Sequence, residues 1–160
     1  MPGTSRKRTL NSEIFFWGLT GGMVLVDLIS KHLAFKGLFI NIPIIGGQVK
    51  NPGITFGLLP GKLNIPVIGM GFLLIAGIIF FRYRYSDIKT DIMCALLAGG
   101  AMGNIYDRLR FGYVRDFIQW PTFNCADVFI CAGVAFFIVD SIYQKEKRCE
   151  HGRGNIPSDT

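Results

Sequence analysis

DIMCALLAGGAMGNIYDRLRFGYVRDFIQWPTFNCADVFICAGVAFFIVDSIY, Asp91 to Tyr143, is the stretch that decides the fold. It begins apolar and rich in Gly and Ala, turns polar from Asn104 to Asp127, and returns to an apolar run. Two helices joined by a charged connection are the simplest reading of that pattern. The connection region holds Asp107, Asp116 and Asp127 with Asn104, Asn124, Arg108, Arg110 and Arg115. Ionisable groups are costly in or beside a bilayer, so such a cluster calls for a reason.

Two further apolar runs precede this stretch. The four expected spans are about 14–34, 63–81, 91–105 and 126–143, each near the roughly 20 residues that a crossing helix needs. Half of the 160 residues are hydrophobic and the mean hydropathy is +0.38, which favours a membrane class. The fold expected is an all-α membrane protein of four transmembrane helices, forming one domain over 1–160. A small extracytoplasmic β element is expected between helices 1 and 2, because 36–62 mixes short β-prone runs with Gly and Pro. It reads as one or two short hairpins. The polar segment 147–160 reads as a disordered tail. The first span follows Arg6, Lys7 and Arg8, but it is too long for a signal-peptide apolar region and is expected to stay in place.

A net charge of +6 would suit nucleic acid if it lay along one helix face. Instead, Arg6, Lys7, Arg8, Arg82, Arg84, Lys89, Lys145, Lys147, Arg148 and Arg153 flank the spans on one side. This bias puts both termini in the cytoplasm and the polar loops on the outer face. No nucleic acid is expected as a partner. Cys94, Cys125, Cys131 and Cys149 make no CxxC pair and no ligand spacing with His32 or His151, so neither a metal site nor a cofactor is expected.

Asn124 and Asp127 stand as N-x-x-D before an apolar run, the spacing of a helix cap. Capping alone would explain them. A helix start would also hold Asp127 rigidly at the outer membrane surface, where the helix dipole attracts an anion. Asp116 lies among Val114, Phe117, Ile118 and Trp120, which draw its carboxylate into a drier layer. Two carboxylates in such a place can share one proton and divide the roles of general acid and general base. Asn104, Asp107 and Arg108 occupy one helix face, with Asp107 read as a structural partner of Arg108. Asp27 and Lys31, at i and i+4, read as a neutralising ion pair. Gly99 and Gly103 form GxxxG, which permits close helix packing. Asn51 and Gly53 belong to an N-x-G-x-x-F run ending at Phe56, in which a tight turn would direct Asn51 toward the site.

Five motifs appear in order: DLISK (Asp27–Lys31), NPGITFG (Asn51–Gly57), GGAMGNIYDR (Gly99–Arg108), VRDFI (Val114–Ile118) and FNCAD (Phe123–Asp127). Together they make the chain resemble the bacterial lipoprotein signal peptidases, or type II signal peptidases, from about Ile14 to Tyr143. The resemblance implies an aspartyl protease of the inner membrane, with Asp116 and Asp127 catalytic. Asn51, Asn104, Arg108 and Asn124 map to supporting positions. It also implies a partner: a prolipoprotein whose cysteine carries diacylglyceryl, cut on the N-terminal side of that cysteine. Membrane lipids are the other expected partners, and a monomer is the expected state. Arg115 departs from the family pattern by replacing an apolar residue, and the link from Asp116 to Asp127 is short for the family. Two rival readings are a proton-coupled transporter that uses Asp27, Asp116 and Asp127 as a relay, and a non-enzymatic scaffold in which these residues are caps and ion pairs.

Overall fold

The computed structural model describes residues 9–39, 42, 44–52, 64–85, 87–119 and 121–153. Its elements are α1 (Leu10–Phe35), β1 (Val49–Asn51), α2 (Asn64–Arg84), α3 (Ile88–Phe111), β2 (Val114–Asp116) and α4 (Cys125–Arg153). Gly53 and Phe56 of the N-x-G-x-x-F run lie outside the described residues.

Local chemistry sets the helix ends. Thr9 caps α1 by accepting from Ser12 N at 3.4 Å. Asp87 caps α3 by accepting from Thr90 N at 2.9 Å. Gly112 ends α3 in the left-handed region at φ 79°, a conformation that glycine adopts without the Cβ penalty. The chain then turns directly into β2. α4 runs to Arg153, so the segment read as a tail from residue 147 begins as helix. The helix thus continues past the apolar run.

α3 is the centre of the fold and packs on α1, α2 and α4. Its small residues make this possible. Ala95, Ala98, Gly99, Gly100, Ala101 and Gly103 are all buried. A Cβ on Gly99 would press on Met23 of α1. One on Gly100 would collide with the Ala126 carbonyl of α4, and one on Gly103 with the Asp27 carboxylate. The GxxxG pair is thus a backbone approach between α3 and α1.

At the end remote from β2, Arg82 of α2 is buried. It donates to Asp91 of α3 at 2.9 Å, to both Glu13 oxygens of α1 and to the Ser12 carbonyl. Its guanidinium lies 3.9 Å from the centre of the Phe16 ring. One cation therefore joins three helices. Asp140 of α4 pairs with Lys89 at 3.1 Å.

Leu10–Phe35, Ile65–Arg84 and Cys125–Lys147 are long and apolar enough to cross a membrane. Large apolar side chains stay exposed along them, including Leu25, Ile29, Leu73, Phe80, Val139 and Ile142. That suits a lipid surround. α3 is not among these spans, so three of the four expected spans are matched among the described residues. Its Gly and Ala content and its charges at Asp91, Asp107, Arg108 and Arg110 dilute its hydropathy.

The expected β element is present, and its described pairing reaches outside the first loop; residues 53–63, where a hairpin return would fall, lie outside the described residues. β1 comes from the loop after α1, but its partner is β2 from the α3–α4 connection, in antiparallel register. Val49 faces Asp116, Lys50 faces Arg115, and Asn51 faces Val114. Among the described residues, the strand pairs across two connections.

Since the Ala126 carbonyl is backbone and cannot step aside, Gly100→Val should overpack the α3–α4 seam. The expected loss is about 1–3 kcal/mol, read as a lower melting temperature in detergent. An unchanged melting temperature would contradict the packing described.

Candidate active site

β2, α3 and the start of α4 bring the polar residues together. Alternation along β2 turns Val114 and Asp116 to one face and Arg115 to the other. Asp116 is 1% exposed. Its Oδ1 accepts from Asn124 Nδ2 at 2.6 Å and its Oδ2 from Asn51 Nδ2 at 3.0 Å.

Asp127 sits at the third position of α4. Its backbone N–H donates to Asn124 Oδ1 at 3.2 Å, and its Oδ2 accepts from the Asn124 N–H at 3.2 Å. This is a reciprocal capping box with an aspartate in the place usually taken by Glu or Gln. The remaining oxygen, Oδ1, accepts from Asn104 Nδ2 at 2.9 Å. Asn124, itself fully buried, thus touches both carboxylates, and all four of their oxygens accept an N–H.

Behind this pair is a buried ionic group. Lys31 Nζ donates to Asp27 Oδ2 at 2.7 Å and to Asn104 Oδ1 at 3.0 Å, and lies 3.3 Å from Asp107 Oδ2. Asp107 is held by Arg115, with the closest approach 2.8 Å from Nη2 to Oδ1. That corrects the expected Asp107–Arg108 partnership: adjacent helix positions point in different directions, and Asp107 turns inward to Lys31 and Arg115. Arg108 donates to the Asn104 carbonyl at 3.3 Å, and the charges of Asp127, Asp116 and Asp107 all act on its guanidinium. Sequence reading left Arg115 without a role. The available signal was strand alternation, which turns Arg115 away from the face that carries Asp116.

Asn51, Asn104, Arg108, Asp116 and Asp127 line one cavity of about 920 Å³, whose other walls are apolar side chains of α2, α3 and α4 such as Val67, Leu74, Ile105 and Ile130. A mostly apolar cleft with a few convergent polar groups is the usual form of a ligand site. Among the described residues, no group of three or more His, Cys, Asp or Glu is gathered to hold a metal.

Burial pushes the Asp116 carboxyl above its ordinary value of 3.8, and the Asp127 charge adds to that. Hydrogen bonds from Asn124 and Asn51 oppose the rise by favouring the ionised form.

Fold and site together define a class: a helical membrane protein with two carboxylates lining an apolar groove. Residues 19–143 match the family described as Signal peptidase (SPase) II. The lipoprotein signal peptidase of Syntrophus aciditrophicus is 38% identical over 163 residues, covering 86% of this chain and 99% of that protein. That of Moorella thermoacetica is 40% identical over 125 residues, covering 70% of this chain and 82% of that protein. A solved bacterial membrane enzyme, determined by the in meso method at 2.3 Å resolution, superposes with a TM-score of 0.70 at 21% identity, over 90% of this chain and 95% of that one. The last comparison speaks for the fold. The chain belongs to the signal peptidase II family.

Because the folded-state value for Asp116 is raised, the folded protein holds this proton more tightly than the unfolded chain does. The corresponding stability is fully present below the ordinary value and is lost as pH rises through the raised one. Asn51→Ala removes a donor to the ionised form and should raise the value further. Infrared titration of the protonated carboxyl stretch checks the direction, and a fall on removing Asn51 would contradict it.

Proposed function

We propose that this signal peptidase removes signal peptides from prolipoproteins as an aspartyl endopeptidase, with Asp116 and Asp127 as its catalytic pair. The observation that carries this reading is the shared clamp: Asn124 holds both carboxylates, which line one apolar groove. A water between them would lose a proton to one carboxylate and attack the scissile carbonyl carbon. The other carboxyl would give its proton to the carbonyl oxygen as the tetrahedral diol forms; as the C–N bond breaks, the proton taken from water passes to the leaving amine and a diol hydroxyl returns a proton to the other carboxylate, restoring the pair. The pair shares a single proton, so acid and base are properties of the pair. Asn51, Arg108 or a backbone amide stabilises the developing oxyanion. Asn104 and Asn124 hold the carboxylates, and Asp27, Lys31 and Asp107 are structural. Neither metal nor cofactor enters this mechanism.

The substrate carries diacylglyceryl on its cysteine and is cut on the N-terminal side of that residue. Acyl chains and the apolar signal peptide suit a groove walled by α2, α3 and α4. The lipid anchor would deliver the scissile bond to interfacial depth. In the membrane, α3 crosses as the fourth span. Its 24 residues at about 1.5 Å each make about 36 Å, enough for a core of about 30 Å. Contact with α1, α2 and α4 covers much of its polar surface. Both termini face the cytoplasm, the site faces outward, and the enzyme works as a monomer.

A gel-shift cleavage assay on a diacylglyceryl-modified prolipoprotein tests the chemistry. Asp116→Asn and Asp127→Asn should each slow cleavage by roughly 10²–10⁴-fold. Either variant cutting at the wild-type rate would show the mechanism to be wrong.

A further inference from the structure

The residue before Asp116 and the residue before Asp127 are held in the same way. Arg115 N–H donates to Asp107 Oδ2 at 3.0 Å, and Ala126 N–H donates to Asp27 Oδ1 at 2.8 Å. Both accepting carboxylates are fully buried, and both approach the one ammonium of Lys31. The charges run in sequence as Asp27, Lys31, Asp107 and Arg115, two negative and two positive. The Arg115 guanidinium closes the chain with bonds from Nε and Nη2 to Asp107 and lies 4.5 Å from the Phe111 ring centre. No member of this chain donates a hydrogen bond to Asp116 or Asp127.

We propose that this buried four-charge chain sets the spacing of the two catalytic carboxylates by gripping the backbone immediately before each, and that Arg115 is a positioning residue for Asp116. The inference rests on the proposed catalytic roles of Asp116 and Asp127. It extends them by giving Arg115, where the sequence departs from the family pattern, a function in catalysis. Each grip is short and charge-assisted, so it restrains the backbone more firmly than a neutral bond. β2 is only three residues long and is paired on one edge by β1, so its other edge needs such a restraint. Losing the guanidinium leaves the Arg115 N–H bond but releases the carboxylate that receives it. Asp107 is then free to turn toward Lys31, and Asp116 shifts with β2. Small misplacements of reacting groups slow the chemical step more than they weaken binding.

The test is steady-state kinetics on the lipid-modified prolipoprotein, with melting in detergent measured alongside. Arg115→Met should lower kcat by between about 10-fold and 100-fold, with KM nearly unchanged and the protein still folded. Arg115→Lys restores a charged donor and should recover most of the loss. If Arg115→Met folds poorly, the double variant Asp107→Asn/Arg115→Met removes both charges together and should fold while remaining slow. A wild-type kcat in whichever of these variants folds overturns the inference. So does a loss that Arg115→Lys fails to reduce, or one that only tracks the amount of folded enzyme. Asp116→Asn is assayed in parallel. If it is active, the catalytic assignment falls and this inference with it; if it is inactive while Arg115→Met is fully active, only the positioning role falls.

Discussion

An ammonium group donates hydrogen bonds and cannot accept them, and Lys31 holds one with no exposed surface. Its acceptors are fixed as Asp27 on its own helix, and Asn104 and Asp107 on α3. This settles the polarity of Asn104. The amide must offer Oδ1 to Lys31, so Nδ2 is left for Asp127. Reversing the amide would set its NH₂ against the ammonium and its oxygen against a carboxylate. One cation inside the bundle therefore decides which group meets Asp127. Burying it requires Asp27 and Asp107, because an unpaired charge there would be strongly destabilising.

The rest of the fold accommodates this arrangement. Gly103 leaves room for the Asp27 carboxylate, and Gly100 lets the first turn of α4 approach α3 closely enough for Ala126 N–H to reach Asp27. Small residues on α3 therefore serve the polar group as well as helix packing. The low hydropathy of α3 has the same origin, since the helix carries the buried charges and lies among the others. α1, α2 and α4 keep their large apolar residues on the outside. On the proposed mechanism this separation is useful, because a rigid polar frame sits behind the carboxylates and an apolar groove lies in front of them.

Much of this was readable in the sequence because the signals are local. The capping pair of Asn124 and Asp127, the i,i+4 pair of Asp27 and Lys31, and the apolar runs each depend on spacing within a few residues. What depends on distant pairing was not readable. β1 pairs with β2 from a different connection, a pairing that no turn signal announces. Asp107 looked like a neighbour for Arg108, but side chains at adjacent helix positions diverge, and its partner Arg115 lies past the C-terminal glycine of the helix. α3 falls below the hydropathy of the other three helices because hydropathy measures composition, while burial among three other helices does not appear in it. Gly53 stands outside the described residues, so its turn remains an expectation of sequence.

The central claim is that Asp116 and Asp127 work as one unit. The most direct measurement compares single-turnover cleavage rates of a diacylglyceryl-modified prolipoprotein by wild type, Asp116→Asn, Asp127→Asn and the double variant. Groups that act as a unit are grossly non-additive, so the double variant should be about as slow as the slower single variant. Losses that multiply, with the double variant slower than either single by the full product, would mean that the two carboxylates contribute independently and would contradict the account.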